Sequence, residues 1–318
     1  MAKNKFEFES TYRLLESKLE ELKDLSVKLN CDFSSEIANV EKRINQLKQE
    51  RYKNLTPWEQ VLLSRDLERP MTRDFIQTLF TEFIELHGDR LYGDDPAIVG
   101  GVGIFNGRAV TVLGHQKGKD TSDNIIHNFG MPRPEGYRKA YRLLMEAERF
   151  ERPVLTFINT PGADPGIGAE ERGQAWAISQ LLVCLSKLKV PVVSVITGEG
   201  GSGGALALTV ADRILMLNNA VFSVASPETC ASILLRDAKR ADEMAAALKL
   251  NAKSLKELEI IDEIIEEPAQ DFLLDSADFV TSLKNSIKKH LDAVCSSDIN
   301  ELLEQRYERL RRIGKIQE

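Results

Sequence analysis

The first fifty residues alternate apolar and charged positions with the repeat of a helix. Leucine recurs there at three- and four-residue steps, the spacing that places side chains on one face of an α-helix. The first stripe consists of Leu15, Leu19, Leu22, Leu25 and Leu29. It is interrupted at Asp32 and Ser34, and a second stripe consists of Ile37, Val40, Ile44 and Leu47. The pattern predicts two antiparallel helices that share a narrow apolar stripe.

Two further helices are expected after this pair. One begins at Thr56-Pro57, because a capping residue there precedes a proline at the first helical position. The other is predicted over residues 72–87 and ends at Gly88.

Runs of β-prone residues replace the helical repeat from Asp94 onward. The runs at 98–104 and 109–113 are joined across Asn106-Gly107, the strongest short-range signal for a β-hairpin. Further strands are predicted at 154–158, 191–197, 214–217 and 221–224, helices at 135–150, 170–187 and 204–210, and amphipathic helical segments at 238–248, 272–291 and 299–313. Alternating strands and helices predict an α/β fold, and the hairpin-like pairs favour a spiral of ββα units over a doubly wound sheet.

Composition narrows the class of protein without identifying it. A chain of 318 residues is long enough for one large core with helical additions, or for two modest domains. A net charge of −7 and no basic run with interleaved aromatic residues give no sign of nucleic-acid binding. No apolar run approaches the roughly 20 residues that span a membrane, and the acidic N-terminus differs from a signal or transit peptide. The four cysteines form no CxxC pair, so we expect a soluble, metal-free cytoplasmic protein.

Five of the seven residues at 198–204 are glycine, between a strand and a helix of the predicted order. Glycine tolerates a positive φ and lets the backbone approach a ligand closely. A helix that begins there directs unpaired N–H groups and the positive end of its dipole at whatever lies above. The loop therefore predicts a site for a negatively charged oxygen. A tight strand–helix connection packed against a neighbouring segment is the alternative.

Known motifs match parts of this loop. Gly198, Gly200 and Gly203 fit the dinucleotide fingerprint, but no acidic residue follows on the next strand at the expected spacing of about 20. A P-loop would need Lys and then Ser or Thr, where this chain continues with Ala-Leu. Ser202 fits the centre of a nucleophile elbow, so a serine hydrolase stays open as an alternative. Its base would have to be one of the four histidines, which are His87, His115, His127 and His290.

Two earlier loops follow strands in the same way. The loop at 159–173 contains Gly162, Ala163, Gly166 and Gly168. If this loop and the loop at 198–204 lie at the same end of a sheet, they make one composite surface. Glu170 and Glu171 would act as an acid–base pair or would complement the dipole of the helix that begins there. In the loop at 114–118, His115 is a candidate base and Lys117 a candidate partner for phosphate, or both are solvated loop residues.

Several ordered motifs together resemble one family. They are Gly-His-Gln-Lys-Gly at 114–118, Asn-Phe-Gly-Met-Pro-Arg-Pro-Glu-Gly-Tyr-Arg-Lys-Ala at 128–140, Thr-Pro-Gly-Ala at 160–163, Gly-Ala-Glu-Glu-Arg-Gly-Gln at 168–174, Gly-Glu-Gly-Gly-Ser-Gly-Gly-Ala-Leu-Ala at 198–207, Ser-Pro-Glu at 226–228 and Cys-Ala-Ser-Ile-Leu at 230–234. The chain resembles the alpha subunits of the bacterial- and plastid-type acetyl-CoA carboxylase carboxyltransferase. The resemblance covers nearly the whole chain, including the leucine-striped helices.

The resemblance implies a crotonase-like spiral of ββα units over about 97–266, with N-terminal and C-terminal helical extensions. It implies a helical segment at 1–34, a carboxyltransferase domain at 35–293 and a helical tail at 294–318. The implied reaction moves a carboxyl group from carboxybiotin, held on a biotin carboxyl carrier protein, to acetyl-CoA, which gives malonyl-CoA for fatty-acid synthesis. The implied partner is a beta subunit in an α2β2 assembly. Zinc is expected only in that beta subunit, and ATP is used by a separate biotin carboxylase.

The same resemblance assigns roles to the glycines. Gly203 and Gly204 are expected to form a backbone oxyanion hole that faces the biotin ureido oxygen, with Gly200 and Gly201 shaping the approach. Further candidates for contact with biotin or coenzyme A are Gly162, Ala163, Gly166, Gly168, His115, Lys117, Gly130 and Gly136. Two positions depart from the family pattern, because Asp164 stands where an aromatic residue is usual and Thr229 where glycine is usual. Both are expected to alter the shape of the pocket.

Overall fold

The computed structural model describes residues 9–29, 32–52, 54–268 and 273–314. The N-terminal helices are α1 (Glu9–Leu29) and α2 (Ser34–Tyr52). A salt bridge of 2.8 Å joins Lys23 Nζ in the second half of α1 to Glu41 Oε1 in the first half of α2. This pairing is the one that the predicted antiparallel arrangement requires. Outside the described residues lie the side chain of Leu29, residues Cys31 and Phe272, and the two ends of the chain, 1–8 and 315–318.

One eight-stranded sheet forms the centre of the described chain. Its strands are β1 (Phe83–Glu85), β2 (Ile98–Phe105), β3 (Arg108–His115), β4 (Val154–Thr160), β5 (Val192–Gly201), β6 (Arg213–Leu217), β7 (Val221–Ser223) and β8 (Glu263–Ile265). The order is β1-β2-β3-β4-β5-β6-β8, and β7 pairs with the end of β5. Strands β1 to β3 are antiparallel, and the other strand pairings are parallel.

Helices cover the sheet and connect its strands. They are α3 (Pro57–Ser64), α4 (Thr72–Leu79), α5 (Thr121–Ile126), α6 (Pro134–Arg149), α7 (Ile167–Glu171), α8 (Gln174–Lys187), α9 (Ser202–Leu206), α10 (Pro227–Cys230), α11 (Ala241–Ala247), α12 (Ala252–Glu257), α13 (Ala277–Cys295) and α14 (Ile299–Arg312). A π-helical turn at Ala231–Leu235 continues directly from α10. Turns of 3₁₀ helix lie at Asn128–Gly130, Ala238–Arg240 and Leu273–Asp275. No helix in the described ranges is long and apolar enough to cross a membrane.

Local signals in the sequence are confirmed at a turn and a cap. Asn106 (φ 48°) and Gly107 (φ 77°) both have positive φ, as the two-residue turn of a tight hairpin requires, and Phe105 pairs with Arg108 across them. Thr56 caps α3, because its side chain accepts from Glu59 N while the Glu59 carboxylate accepts from Thr56 N.

Two predicted helices have the wrong bounds. The predicted helix at 72–87 ends at Leu79, because Phe80 has an extended backbone (φ −110°, ψ 144°) and β1 follows. Strand β1 lies so close to β2 that a Cβ on Gly101 would overlap the Ile84 carbonyl oxygen. The predicted helix at 170–187 is broken into α7 and α8 by Gly173, whose φ is +83°.

The glycine-rich segment also begins differently from the prediction. Strand β5 continues through Gly201 instead of ending at Thr197, because Glu199–Gly201 pair with β7. The following helix, α9, starts at Ser202 and ends at Leu206, whereas a helix over 204–210 was expected. The three-residue strand β8 is absent from the predicted elements.

The parallel strands bring three loops to one edge of the sheet. Strands β3, β4 and β5 are neighbours and run in the same direction. Their carboxyl ends are His115, Thr160 and Gly201, and Thr160 pairs directly with Gly200. Ligands bind at this edge in open α/β sheets. The composite surface predicted from the sequence therefore forms.

The C-terminal helix α14 is anchored in the core by a buried arginine. Arg306 is 1% exposed, and its guanidinium donates to both carboxylate oxygens of Asp212 at 2.7 and 2.8 Å. It also donates to the carbonyls of Leu185, Leu188 and Val190. Helix α13 runs through the predicted 293/294 boundary. The division into three segments stays a prediction.

We expect Arg306→Met to lower the free energy of unfolding by about 3–5 kcal/mol, because it leaves the Asp212 carboxylate buried without its cation. Urea denaturation followed by circular dichroism measures the change. Arg312→Met is the matched control, since Arg312 is exposed on the same helix and should shift stability by no more than about 0.5 kcal/mol. Equal effects of the two substitutions would contradict the anchoring role.

Candidate functional site

The two glycine loops meet backbone to backbone. A Cβ on Gly204 would lie 2.5 Å from the Gly162 carbonyl carbon and closer still to the Ala163 nitrogen. A Cβ on Gly201 would overlap the Pro161 carbonyl. These approaches are closer than any side chain allows, so only glycine permits them at both positions. The structure thus brings together the loop after β4 and the start of α9, as the sequence predicted.

The first turn of α9 presents backbone N–H groups at this junction. Gly203 and Gly204 occupy positions in the first turn, where N–H groups have no acceptor within the helix. Around Gly203 a Cβ would meet nothing within 4 Å, so the space above this turn is open. The preceding residue, Ser202, turns the chain sharply with φ +52°. The geometry suits a negatively charged oxygen held by backbone donors.

His115 lies beneath this turn and is fully buried. Burial lowers the pKa of His115 to about 3, and the nearby charge of Lys117 acts in the same direction. The carbonyls of Gly204 and Phe157 oppose this shift. Neither ring nitrogen reaches a partner in hydrogen-bond geometry. The ring is therefore neutral at physiological pH, and the interpretation of His115 as a solvated loop residue is wrong.

Lys117 is also buried and belongs to a chain of charged groups. Its Nζ lies 3.4 Å from Glu199 Oε2, and burial lowers the pKa of Lys117 while Glu199 opposes the shift. Arg65 Nε donates to Glu199 Oε1 at 2.7 Å, and Arg65 Nη1 donates to Glu228 Oε1 at 2.6 Å. These ion pairs connect the loop after β3 to β5, to the end of α3 and to α10. Lys117 is thus no solvated residue either.

Thr160 connects Gly130 to the loop after β4. The Thr160 hydroxyl lies 2.6 Å from the Gly130 carbonyl oxygen, and Gly162 N donates to that hydroxyl at 3.0 Å. Gly130 has φ +72°, and a Cβ there would overlap Lys117 Cγ. The 3₁₀ turn at Asn128–Gly130 is therefore fixed against both the buried lysine and the loop after β4.

Three of the candidate glycines lie apart from this junction. Gly136 is in the first turn of α6, where a Cβ would lie 2.5 Å from Asp95 Oδ2. Gly166 and Gly168 lie at the start of α7, and Gly166 N donates to Asp164 Oδ1 at 2.8 Å. Their proposed contacts with biotin or coenzyme A stay predictions.

The two departures from the family pattern have local partners. The Asp164 carboxylate lies 3.3 Å from Arg133 Nε, so an ion pair occupies the place of the usual aromatic ring. The Thr229 hydroxyl lies 2.8 Å from the Ser226 hydroxyl in the cap of α10, and Thr229 N donates to that same cap oxygen.

Two charged residues of the site carried no assigned role in the sequence analysis. Glu199 was treated only as part of the glycine loop, and Arg65 was not singled out. The available signal was Glu199 itself, an acidic residue directly after the apolar run 192–196. A carboxylate that continues such a strand needs a buried cation. The sequence alone does not name Arg65 as that cation, because 134 residues separate the two.

The hydrolase alternative lacks a base in this geometry. Ser202 has the positive φ of a nucleophile elbow. However, His115 makes no hydrogen bond, His87 pairs with Asp94, His127 pairs with Asp123, and His290 pairs with Glu263. A carboxylate partner is usual for a catalytic histidine, but among the described residues no hydrogen bond joins any of these four rings to Ser202. Among the described residues, no three His, Cys, Asp or Glu side chains form a group that could hold a metal ion.

Comparison with known proteins assigns the family. The family model described as acetyl co-enzyme A carboxylase carboxyltransferase-like matches residues 5–314. A relative from Syntrophomonas wolfei is 56% identical over 316 residues, covering 99% of each chain, and one from Thermus thermophilus is 50% identical over 312 residues, covering 98% of this chain and 99% of the relative. Both are named acetyl-coenzyme A carboxylase carboxyl transferase subunit alpha.

Solved structures with much lower identity share the fold. A Pseudomonas malonate decarboxylase hetero-tetramer in complex with coenzyme A matches with a TM-score of 0.60 at 18% identity, over 78% of this chain and 97% of that chain. Transcarboxylase 12S matches with a TM-score of 0.59 at 18% identity, over 72% of this chain, which spans 43% of that longer polypeptide. These likenesses confirm the predicted α/β, crotonase-like fold. The chain belongs to the acetyl-CoA carboxylase carboxyltransferase family of alpha subunits.

Proposed function

We propose that this chain forms half of a carboxyltransferase active site. Together with a beta subunit, it transfers the carboxyl group of N-carboxybiotin, held on a biotin carboxyl carrier protein, to acetyl-CoA and so gives malonyl-CoA. The observation that carries the proposal is the open first turn of α9, where Gly203 and Gly204 present N–H groups beside Gly162 and Ala163. The expected setting is the cytoplasm, where a separate biotin carboxylase uses ATP to recharge the carrier.

The residues of this chain act by position and charge. The biotin group supplies the carboxyl group and, from its ureido ring, the base that takes the acetyl proton. The N–H groups of Gly203 and Gly204 stabilise the oxyanion that develops on the ureido oxygen. They do not titrate, and the loop contact behind them keeps them in place. Fixed dipoles of this kind need no reorganisation when charge develops, which is the main source of their catalytic effect.

The space around the turn fits a ligand that enters from outside the chain. A Cβ on Gly203 would meet nothing, so this chain leaves the region above α9 unfilled. Apolar side chains that are at least 43% exposed lie on the segments that follow β3, β4 and β5: Ile126, Phe129, Ile167 and Leu206. Several exposed apolar groups at one edge of a sheet are typical of a surface that a partner covers. We assign this surface to the beta subunit of an α2β2 assembly, with zinc held only by beta.

Reconstitution tests the proposed reaction. The chain mixed with its beta subunit should form malonyl-CoA from acetyl-CoA and a carboxybiotin donor, and neither subunit should do so alone. Ser202→Gly should retain transfer within about threefold, because glycine accepts φ +52° and no serine chemistry is needed. Labelling of Ser202 by a fluorophosphonate, together with loss of activity in this variant, would instead establish the hydrolase.

A pair of neighbouring substitutions tests the oxyanion turn. Gly204→Ala should lower the free energy of unfolding by about 1–3 kcal/mol, because the new methyl group overlaps Gly162 and Ala163. The displaced N–H groups should reduce kcat about 100-fold. Gly203→Ala is the matched control for stability, because its methyl group meets nothing within 4 Å. Wild-type turnover and stability in Gly204→Ala would refute the assignment.

A further inference from the structure

The carbonyl of Gly204 loses its helical donor within one turn. Helix α9 ends at Leu206, and Leu208 N donates to Ala205 O at 3.1 Å. In a longer α-helix the same N–H would donate to Gly204 O. The Gly204 carbonyl is buried, so it needs another donor from within the protein.

His115 is the side chain in electrostatic contact with this carbonyl. Its ring is 0% exposed, and both ring nitrogens are buried without a partner. A neutral imidazole carries one N–H, and leaving that donor unsatisfied costs about 1–3 kcal/mol. The carbonyls of Gly204 and Phe157 are the backbone groups that raise the pKa of His115 against the effect of burial. Phe157 lies inside β4 between two paired strands, where ladder N–H groups are available to its carbonyl, so Gly204 O is the acceptor that lacks a donor.

The backbone of His115 is itself held firmly. His115 pairs with Ile98 at the end of β3, and the Thr72 hydroxyl donates to the His115 carbonyl at 2.5 Å. The ring therefore projects from a rigid part of the sheet toward a short helix that follows a strained turn at Ser202. A side chain in such a place is suited to fix the helix relative to the sheet.

We propose that His115 is a positioning residue for the oxyanion turn: its ring, which makes no hydrogen bond in this structure, turns slightly so that its N–H supplies the hydrogen bond that the Gly204 carbonyl lacks. When this bond closes, the Gly204 peptide is fixed from beneath, and the N–H groups of Gly203 and Gly204 keep their direction toward the developing charge. The inference rests on the proposed function of these two glycines. His115 is fully buried, so it acts through the Gly204 peptide and not by contact with a substrate.

Two replacements separate hydrogen bonding from space filling. His115→Gln keeps a neutral N–H donor, whereas His115→Met fills a similar volume without one. Thr111→Val is the matched control, because Thr111 is fully buried four residues earlier in the same strand, where its hydroxyl accepts from Arg152. All three are assayed in complex with the beta subunit. The readouts are kcat, the KM for acetyl-CoA and thermal unfolding.

We expect His115→Met to lower kcat by up to about 100-fold with little change in KM, as misplaced oxyanion donors would. His115→Gln should recover most of this loss, and Thr111→Val should keep wild-type kcat even where its stability falls. Equal kcat in the Met and Gln variants would overturn the inference, whether both are high or both are low. Failure of both variants to assemble with beta would make His115 a folding residue and overturn it as well. Absence of carboxyl transfer in the wild-type complex would instead contradict the proposed function.

Discussion

The contact between Gly204 and the Gly162–Ala163 backbone is the constraint on which the candidate site depends. It is an approach of two main chains with no side chain between them, so it exists only where both loops reach the same edge of the sheet. The parallel run of β3, β4 and β5 provides that edge. The contact also explains the abundance of glycine without any appeal to flexibility. Gly201 and Gly204 are there because a Cβ would overlap a neighbouring backbone, and both residues are buried.

A backbone contact this close needs support from outside the two loops. Buried charges give part of it, because Lys117, Glu199 and Arg65 join three elements around the junction. Breaking a buried pair leaves an uncompensated charge, which is far more costly than losing an exposed one. Thr160 gives another part by joining Gly130 to Gly162. The electrostatic groups nearest the glycines therefore serve to hold backbone in place, and none is arranged as an acid–base pair.

The sequence predicted the parts of the fold that are encoded locally. Asn106-Gly107 and Thr56-Pro57 have the structures expected, because a tight turn and a helix cap depend on a few adjacent residues. Two predictions failed where a distant strand decides the outcome. Residues 199–201 are strand because β7 pairs with them, and 83–85 are strand because β2 lies alongside. Neither partner is visible from the local pattern. The same reason hid Arg65, whose partner Glu199 is distant in the chain.

The glycine motif alone matched several enzyme classes, and burial now separates them. A hydrolase would need a histidine hydrogen-bonded to Ser202, and a phosphate-binding loop would need a lysine free to reach its ligand. Here His115 lies beneath the turn with a pKa lowered to about 3 by burial, and Lys117 is paired within the protein. Both side chains are therefore part of the buried structure and do not act on a ligand. In the proposed site, backbone N–H groups face the open space, and such groups can stabilise negative charge but cannot accept a proton. A site built in this way requires that its substrate supply the base, and it requires another surface to close over it.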